Sequence, residues 1–158
     1  VTNNSDLLHT IRALPGFENL PEAHAEFLAD ISSFLSLGEH ELAFREDEAS
    51  SDIFYIVSGL MESRMRVPGR QRDEDEGFST LKSGEYFGET AFLDGSRREA
   101  SLAARERCLL LKLDGYALRE RCKTDPELAA RVYALLGRAS AQRYRDVSLE
   151  LRNAATYQ

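Results

Sequence analysis

The sequence predicts an α+β fold in which an antiparallel β-roll stands between N-terminal helices and one long C-terminal helix. Three observations carry this. Apolar residues recur at helical spacing at both ends of the chain. The middle breaks into short runs rich in β-branched and aromatic residues, and glycine-bearing turns separate those runs. The 158 residues suit a single domain spanning 1–158. A domain of this length buries about 70% of the surface its unfolded chain exposes, so a core can form without metals or disulfides.

Residues 5–37 read as helical. Leu7, Leu8, Ile11 and Leu14 share one helical face, and Pro15-Gly16 breaks that helix. After Phe17, Leu20 and Pro21, a second helix carries Phe27, Leu28, Ile31 and Phe34 and stops near Gly38. Residues 40–113 read as the roll. From Asp52 to Val57, alternation puts Ile53, Tyr55 and Val57 on one face and Phe54 and Ile56 on the other. Ser58-Gly59 makes a turn. From Leu60 to Val67, Met61, Ser63, Met65 and Val67 oppose Glu62, Arg64 and Arg66, as in a half-buried antiparallel strand. A polar loop from Pro68 to Gly77 precedes a strand that starts at Phe78. Two further strands follow at Ser101–Ala104 and Cys108–Leu113, joined by a turn at Arg105-Glu106-Arg107.

Residues 115–156 return to helix. Asp125-Pro126 supplies an N-cap and a proline at the first helical position. Tyr133, Leu136, Ser140, Tyr144, Val147 and Leu151 form a stripe longer than a small roll needs, which points to a partner helix.

Composition excludes several function classes. The formal net charge is −7, which disfavours nonspecific nucleic-acid binding because that needs a surplus of Lys and Arg to displace counterions. No apolar run reaches the ~20 residues of a membrane span, and no signal-peptide pattern opens the chain; neither membrane nor nucleic acid is an expected partner of this segment. Cys108 and Cys122 lie in apolar runs and read as reduced thiols of a cytoplasmic protein. His9, His24 and His40 are scattered, so no metal site, cofactor or catalytic constellation is expected. The acidic run from Asp73 to Glu76 lacks calcium-loop spacing and reads as a solvated hairpin tip. The chain opens at Val1 rather than Met, as a piece of a longer protein would, and ends at Gln158 with no room for a helix-turn-helix.

Chemistry concentrates between Gly84 and Ser101. Gly84 and Gly88 permit tight turns and close backbone approach. Glu89 to Phe92 can form a helical turn with free N–H groups, and Arg98 can bring a planar cation to the same place. Ala100 and Ser101 leave room beside them. Amides with an arginine suit a phosphate, and a carboxylate beside them suits a hydroxyl on the same ligand. A sugar phosphate satisfies both.

This stretch resembles the phosphate-binding cassette, here residues 84–101, of the cyclic-nucleotide-binding domain family. The match runs without a gap through Phe87, Gly88, Glu89, Ala91, Phe92, Leu93, Arg98, Ala100 and Ser101. Phe44-Arg-Glu-Asp-Glu, Asp52 to Gly59 and Leu81-Lys-Ser-Gly84 are similar to the family's flanking strands. The resemblance implies a jelly-roll-like double-stranded β-helix. It also implies a regulatory domain rather than an enzyme. Glu89 would bind the ribose 2′-hydroxyl and Arg98 the cyclic phosphate, with Phe87, Gly88, Thr90, Ala91, Glu99, Ala100 and Ser101 completing the cradle. Residues 141–153 resemble the family's dimer helix. That implies a homodimer through the C-terminal helix, with Ser148 near the base and Val147 lacking a hydroxyl.

Three departures are visible: Asp47 in place of a turn glycine, Arg97 in place of proline, and Glu99 in place of a small residue. Asp tolerates the left-handed region that the turn needs. Members that prefer cGMP carry Thr or Ser after the arginine, so Glu99 points to cAMP, with cGMP as the alternative. Other roles consistent with the resemblance are the effector domain of a transcription regulator, the regulatory tail of a transporter, channel or enzyme, and a roll used only for protein contacts.

Overall fold

The computed structural model describes residues 3–66, 68–69 and 76–157. Helix α1 (Asn4–Arg12) is capped by the Asn3 side chain, which accepts from the Ser5 amide at 3.3 Å. Helix α2 (Glu22–Asp30) follows the Pro15-Gly16 break.

The second N-terminal helix is shorter than its periodicity suggested. It ends at Asp30, and Ser32–Leu37 forms strand β1. Phe34 therefore sits on a strand and not on a helix. Ser32, Ser33 and Ser36 are weak helix formers, and the segment gains a full antiparallel ladder with the strand at Cys108–Leu113, from Ser32 opposite Leu113 to Leu37 opposite Cys108. Pairing across the chain overrides a short apolar spacing that fits either period.

The roll consists of two four-stranded antiparallel sheets. Its strands are β1, β2 (Leu42–Phe44), β3 (Ile53–Ser58), β4 (Leu60–Met65), β5 (Glu76–Lys82), β6 (Tyr86–Phe87), β7 (Ser101–Ala104) and β8 (Cys108–Leu113). One sheet has the order β1-β8-β3-β6 and the other β2-β7-β4-β5. β5 starts at Glu76, and the acidic residues 73–75 lie outside the described residues.

The alternation in β3 separates two cores. Phe54 and Ile56 point into the roll with Phe44, Met61, Leu81, Phe87, Leu102 and Leu110. Ile53 packs outward, with Tyr55 and Val57, against apolar residues of α1, α2 and the C-terminal helices. Those are α4 (Gly115–Cys122) and α5 (Pro126–Thr156). Asp125 caps α5 by accepting from the Leu128 amide at 3.2 Å. No described helix is long and apolar enough to cross a membrane. Cys108 and Cys122 are free and buried, and burial pushes both thiols up from their ordinary pKa.

Candidate functional site

β6 turns into the short helix α3 (Glu89–Asp94) at Gly88, where φ is +84°. A Cβ at Gly88 would lie 2.8 Å from the Asp52 carbonyl oxygen and 3.0 Å from Arg98 Nη1, so only glycine admits both the turn and the close approach. The loop after α3 returns Arg98 to this point. Asp47 N donates to the Arg98 carbonyl at 2.8 Å and Arg98 N to the Glu48 carbonyl at 3.0 Å. These two bonds tie the cassette to the β2–β3 turn, where Asp47 adopts φ +68° as its residue type allows.

Arg98 is only 4% exposed. Its Nε donates to Ser50 Oγ at 3.0 Å, Nη1 to the Gly88 carbonyl at 2.8 Å and Nη2 to the Asp52 carbonyl at 2.8 Å. The guanidinium also lies over the Phe44 ring, 3.9 Å from its centroid. A guanidinium has five N–H groups, so one on each terminal nitrogen remains for a ligand. Burial pulls the Arg98 pKa below its ordinary value, against the opposing pull of the Asp52, Glu48 and Glu89 carboxylates.

Arg98 stands at the wall of a cavity of about 510 Å³ between the roll and α5. Phe87, Gly88, Thr90, Glu99 and Ala100 line it with Arg98. Phe44, Met65, Leu81 and Leu102 form its apolar wall, Ser63 and Ser79 add hydroxyls, and Arg143, Val147, Glu150, Leu151 and Ala154 of α5 close it. A large apolar pocket with a few convergent polar groups is the usual form of a small-molecule site.

A family model described as the cyclic nucleotide-binding domain matches residues 34–125. The chain belongs to that family. The family is regulatory, not catalytic. A Rhodopseudomonas palustris protein bearing a potassium-channel name is 27% identical over 143 residues, which is 89% of this chain and 32% of that protein. The Thermus thermophilus catabolite activator protein superposes with a TM-score of 0.64 at 25% identity, over 89% of this chain and 63% of that one. A cyclic nucleotide-binding domain from Methylobacillus flagellatus reaches a TM-score of 0.78 at 16% identity, over 96% and 83% of the two chains. This chain spans a third or less of the curated relatives it matches.

Within this cyclic nucleotide-binding domain, several expected site residues fall away from the cavity wall. Glu89 is fully buried behind it. Glu89 Oε1 accepts from Arg143 Nη1 at 2.5 Å and from Ser140 Oγ at 3.3 Å, while Oε2 is buried without a partner among the described residues. Ala91, on α3 itself, is buried. Ser101 is buried too, and its hydroxyl accepts from the Glu46 amide at 2.8 Å, holding β7 to the chain after β2.

Ser148, expected near the base, does not line the cavity. Helical geometry puts Val147 and Leu151, one turn apart, on the lining face, and Ser148 is rotated off it. The apolar stripe also divides. Leu136 is in the core, Ser140 turns to Glu89, and Val147 and Leu151 reach the chain's own cavity, while Tyr144 stays 76% exposed.

Sequence reasoning missed Arg143, Ser50 and the Asp52 carbonyl. Ser50 and Asp52 act through a loop whose path only the fold reveals. Arg143 carried a signal, since it precedes Val147 by four residues and follows Ser140 by three and so shares their face. Its Nη2 also donates to the Tyr86 carbonyl.

Proposed function

We propose that this domain is a sensor that binds a cyclic nucleotide, with cAMP the expected ligand, and signals through movement of α5. The observation that carries this is the guanidinium of Arg98. It is buried, held by three hydrogen bonds and left with two N–H groups at a cavity wall. A preorganised bidentate donor of this kind suits a phosphate. Glu89 Oε2 is buried without a donor among the described residues, which is costly, and a ribose hydroxyl would supply one once Ser140 and Arg143 of α5 move aside and open Glu89 to the cavity.

Glu99 lines the cavity beside Arg98, and the choice of cAMP rests on it, because family members that prefer cGMP carry Thr or Ser after the arginine. The α5 residues that close the cavity make the helix the natural carrier of the signal. The exposed Tyr144 and Leu151, on one face of α5, suit pairing with the α5 of a second copy. The match to part of a longer protein with a potassium-channel name supports a role as the regulatory tail of a larger chain.

Isothermal calorimetry with cAMP and cGMP is the test. Binding of both with cAMP tighter is the expected result. Tighter cGMP would reverse the choice of base, and no binding of either would reduce the roll to a protein-contact module.

A further inference from the structure

A second cavity, of about 210 Å³, lies between the β2–β3 loop, the end of α3 and α4, and shares no lining residue with the first. Ser50, Ser51, Ser96, Arg97 and Arg119 supply its polar wall. Arg119 is positioned by the end of α3, where the last carbonyls of a helix lack partners of their own. Its Nη2 donates to the Phe92 carbonyl at 2.6 Å and reaches the Ala91 carbonyl at 3.4 Å, and its guanidinium carbon lies 5.2 Å from the Phe92 ring centroid. Arg97 Nη1 donates to the Asp47 carbonyl at 2.9 Å. Each arginine is thus held through one nitrogen. The other nitrogens of the two guanidinium groups make no hydrogen bond or ion pair among the described residues.

Among the described residues, this wall carries two cations, three hydroxyls and no carboxylate, on a protein of formal net charge −7. Ser96 Oγ is buried without a hydrogen-bond partner among the described residues. The carboxylates of Glu48 and Asp94 bond Ser50 Oγ at 3.1 Å and the Ser96 amide at 2.9 Å, and neither lines the cavity. The volume falls below the ~300 Å³ at which sites for drug-sized ligands begin, so the cavity suits a small ion and not a nucleotide. Guanidinium groups beside hydroxyl donors suit a tetrahedral oxyanion. Arg97 stands in place of the family's proline, so one of the two cations belongs to this chain and not to the cassette pattern.

We propose that this second cavity is a binding site for inorganic phosphate, with Arg97 and Arg119 as its cations and Ser50, Ser51 and Ser96 as hydroxyl donors. Ser50 connects it to Arg98. The Ser50 oxygen accepts from Arg98 Nε, and its hydrogen goes to Glu48. A bound ion takes that hydrogen in place of Glu48 and leaves the Arg98 bond intact. Phosphate is therefore held next to the cassette without competing for the guanidinium that faces the large cavity.

An NMR titration of the full chain with sodium phosphate, against sodium chloride at equal pH and ionic strength, tests this. The amides of Ser51, Gly95, Ser96 and Arg97 should shift along one saturable curve. The amides of Ser63, Ser79 and Leu81, which line the large cavity, should not follow that curve. Arg97→Ala, at an exposed side chain, should weaken binding about tenfold or more, the loss expected of one hydrogen bond to a charged group. Arg119→Gln should weaken it as much, and if that variant fails to fold, Arg97→Ala decides alone. Arg105→Ala removes an exposed cation from outside the cavity and should leave the curve unchanged. Four results would overturn the site: no saturable shift at these amides, shifts confined to the wall of the large cavity, wild-type phosphate affinity in Arg97→Ala, or equal weakening by Arg105→Ala. None of these outcomes depends on the nucleotide.

Discussion

Arg98 anchors itself with three of its N–H groups and keeps two. Its removal therefore has two separable effects. Arg98→Ala leaves the Gly88 and Asp52 carbonyls short of a donor, which lowers stability by about 1–3 kcal/mol while the roll stays folded around its other contacts. It also removes the cation from the cavity wall, which should cost nucleotide binding about 2–5 kcal/mol. Thermal melts and calorimetry on the same sample separate the two, and unchanged affinity would refute the phosphate role. Glu89 poses a different question, since one carboxylate oxygen is held by Arg143 and Ser140 and the other is buried without a partner among the described residues. A hydroxyl donor on the ligand should fill it. The wild type should bind a 2′-deoxy cyclic nucleotide more weakly than the ribo form, on the order of tenfold or more, and Glu89→Gln should narrow that gap. Equal binding of the two ligands to the wild type would rule out the ribose contact.

At the scale of elements, Asp125 joins α2, α4 and α5. Its carboxylate accepts from the Leu128 amide, meets His24 and lies 3.5 Å from Arg121 Nε. The amide bond at the helix N-terminus, with His24 and Arg121 nearby, holds its pKa below the ordinary carboxylate value. A carboxylate with a depressed folded pKa contributes stability that is present above its unfolded pKa and lost as pH falls through the folded value. The wild type should thus melt above Asp125→Asn at neutral pH. The difference should shrink as the solution is acidified below the ordinary carboxylate range. Melting curves across that range provide the check, and a difference that grows on acidification would contradict the assignment.

Across the whole molecule, the roll positions the site and α5 carries its cover outward. Tyr144 and Leu151, seven residues apart on one face of α5, are 76% and 67% exposed, an apolar surface that suits a partner helix. Sedimentation should show a dimer that Tyr144→Glu dissociates. A strict monomer at high concentration would make α5 a lid for its own roll and nothing more.

Much of this was legible in order along the chain. The period-two alternation of β3 sorted Phe54 and Ile56 from Ile53 and Tyr55, and the fold places a core on each side of that strand. Asp125-Pro126 marked the start of α5 because capping is local chemistry. The cassette was legible because Gly88, Glu89 and Arg98 suit a sugar phosphate and stand in a run that resembles the family's pattern without a gap. What the chain order could not show is where distant segments meet. Ile31 to Phe34 fitted a helix until β8 offered a ladder. Arg98 depends on Ser50 and Asp52, nearly fifty residues earlier in the chain. Glu89 meets Arg143, more than fifty residues later in the chain, and α5 turns Val147 and Leu151 rather than Ser148 to the cavity. Local spacing determines which residues share a strand face or a helix turn, because it follows from backbone geometry alone. Which arginine meets which carboxylate, and which face of a long helix turns inward, is decided only when two cores and a bolted helix settle together.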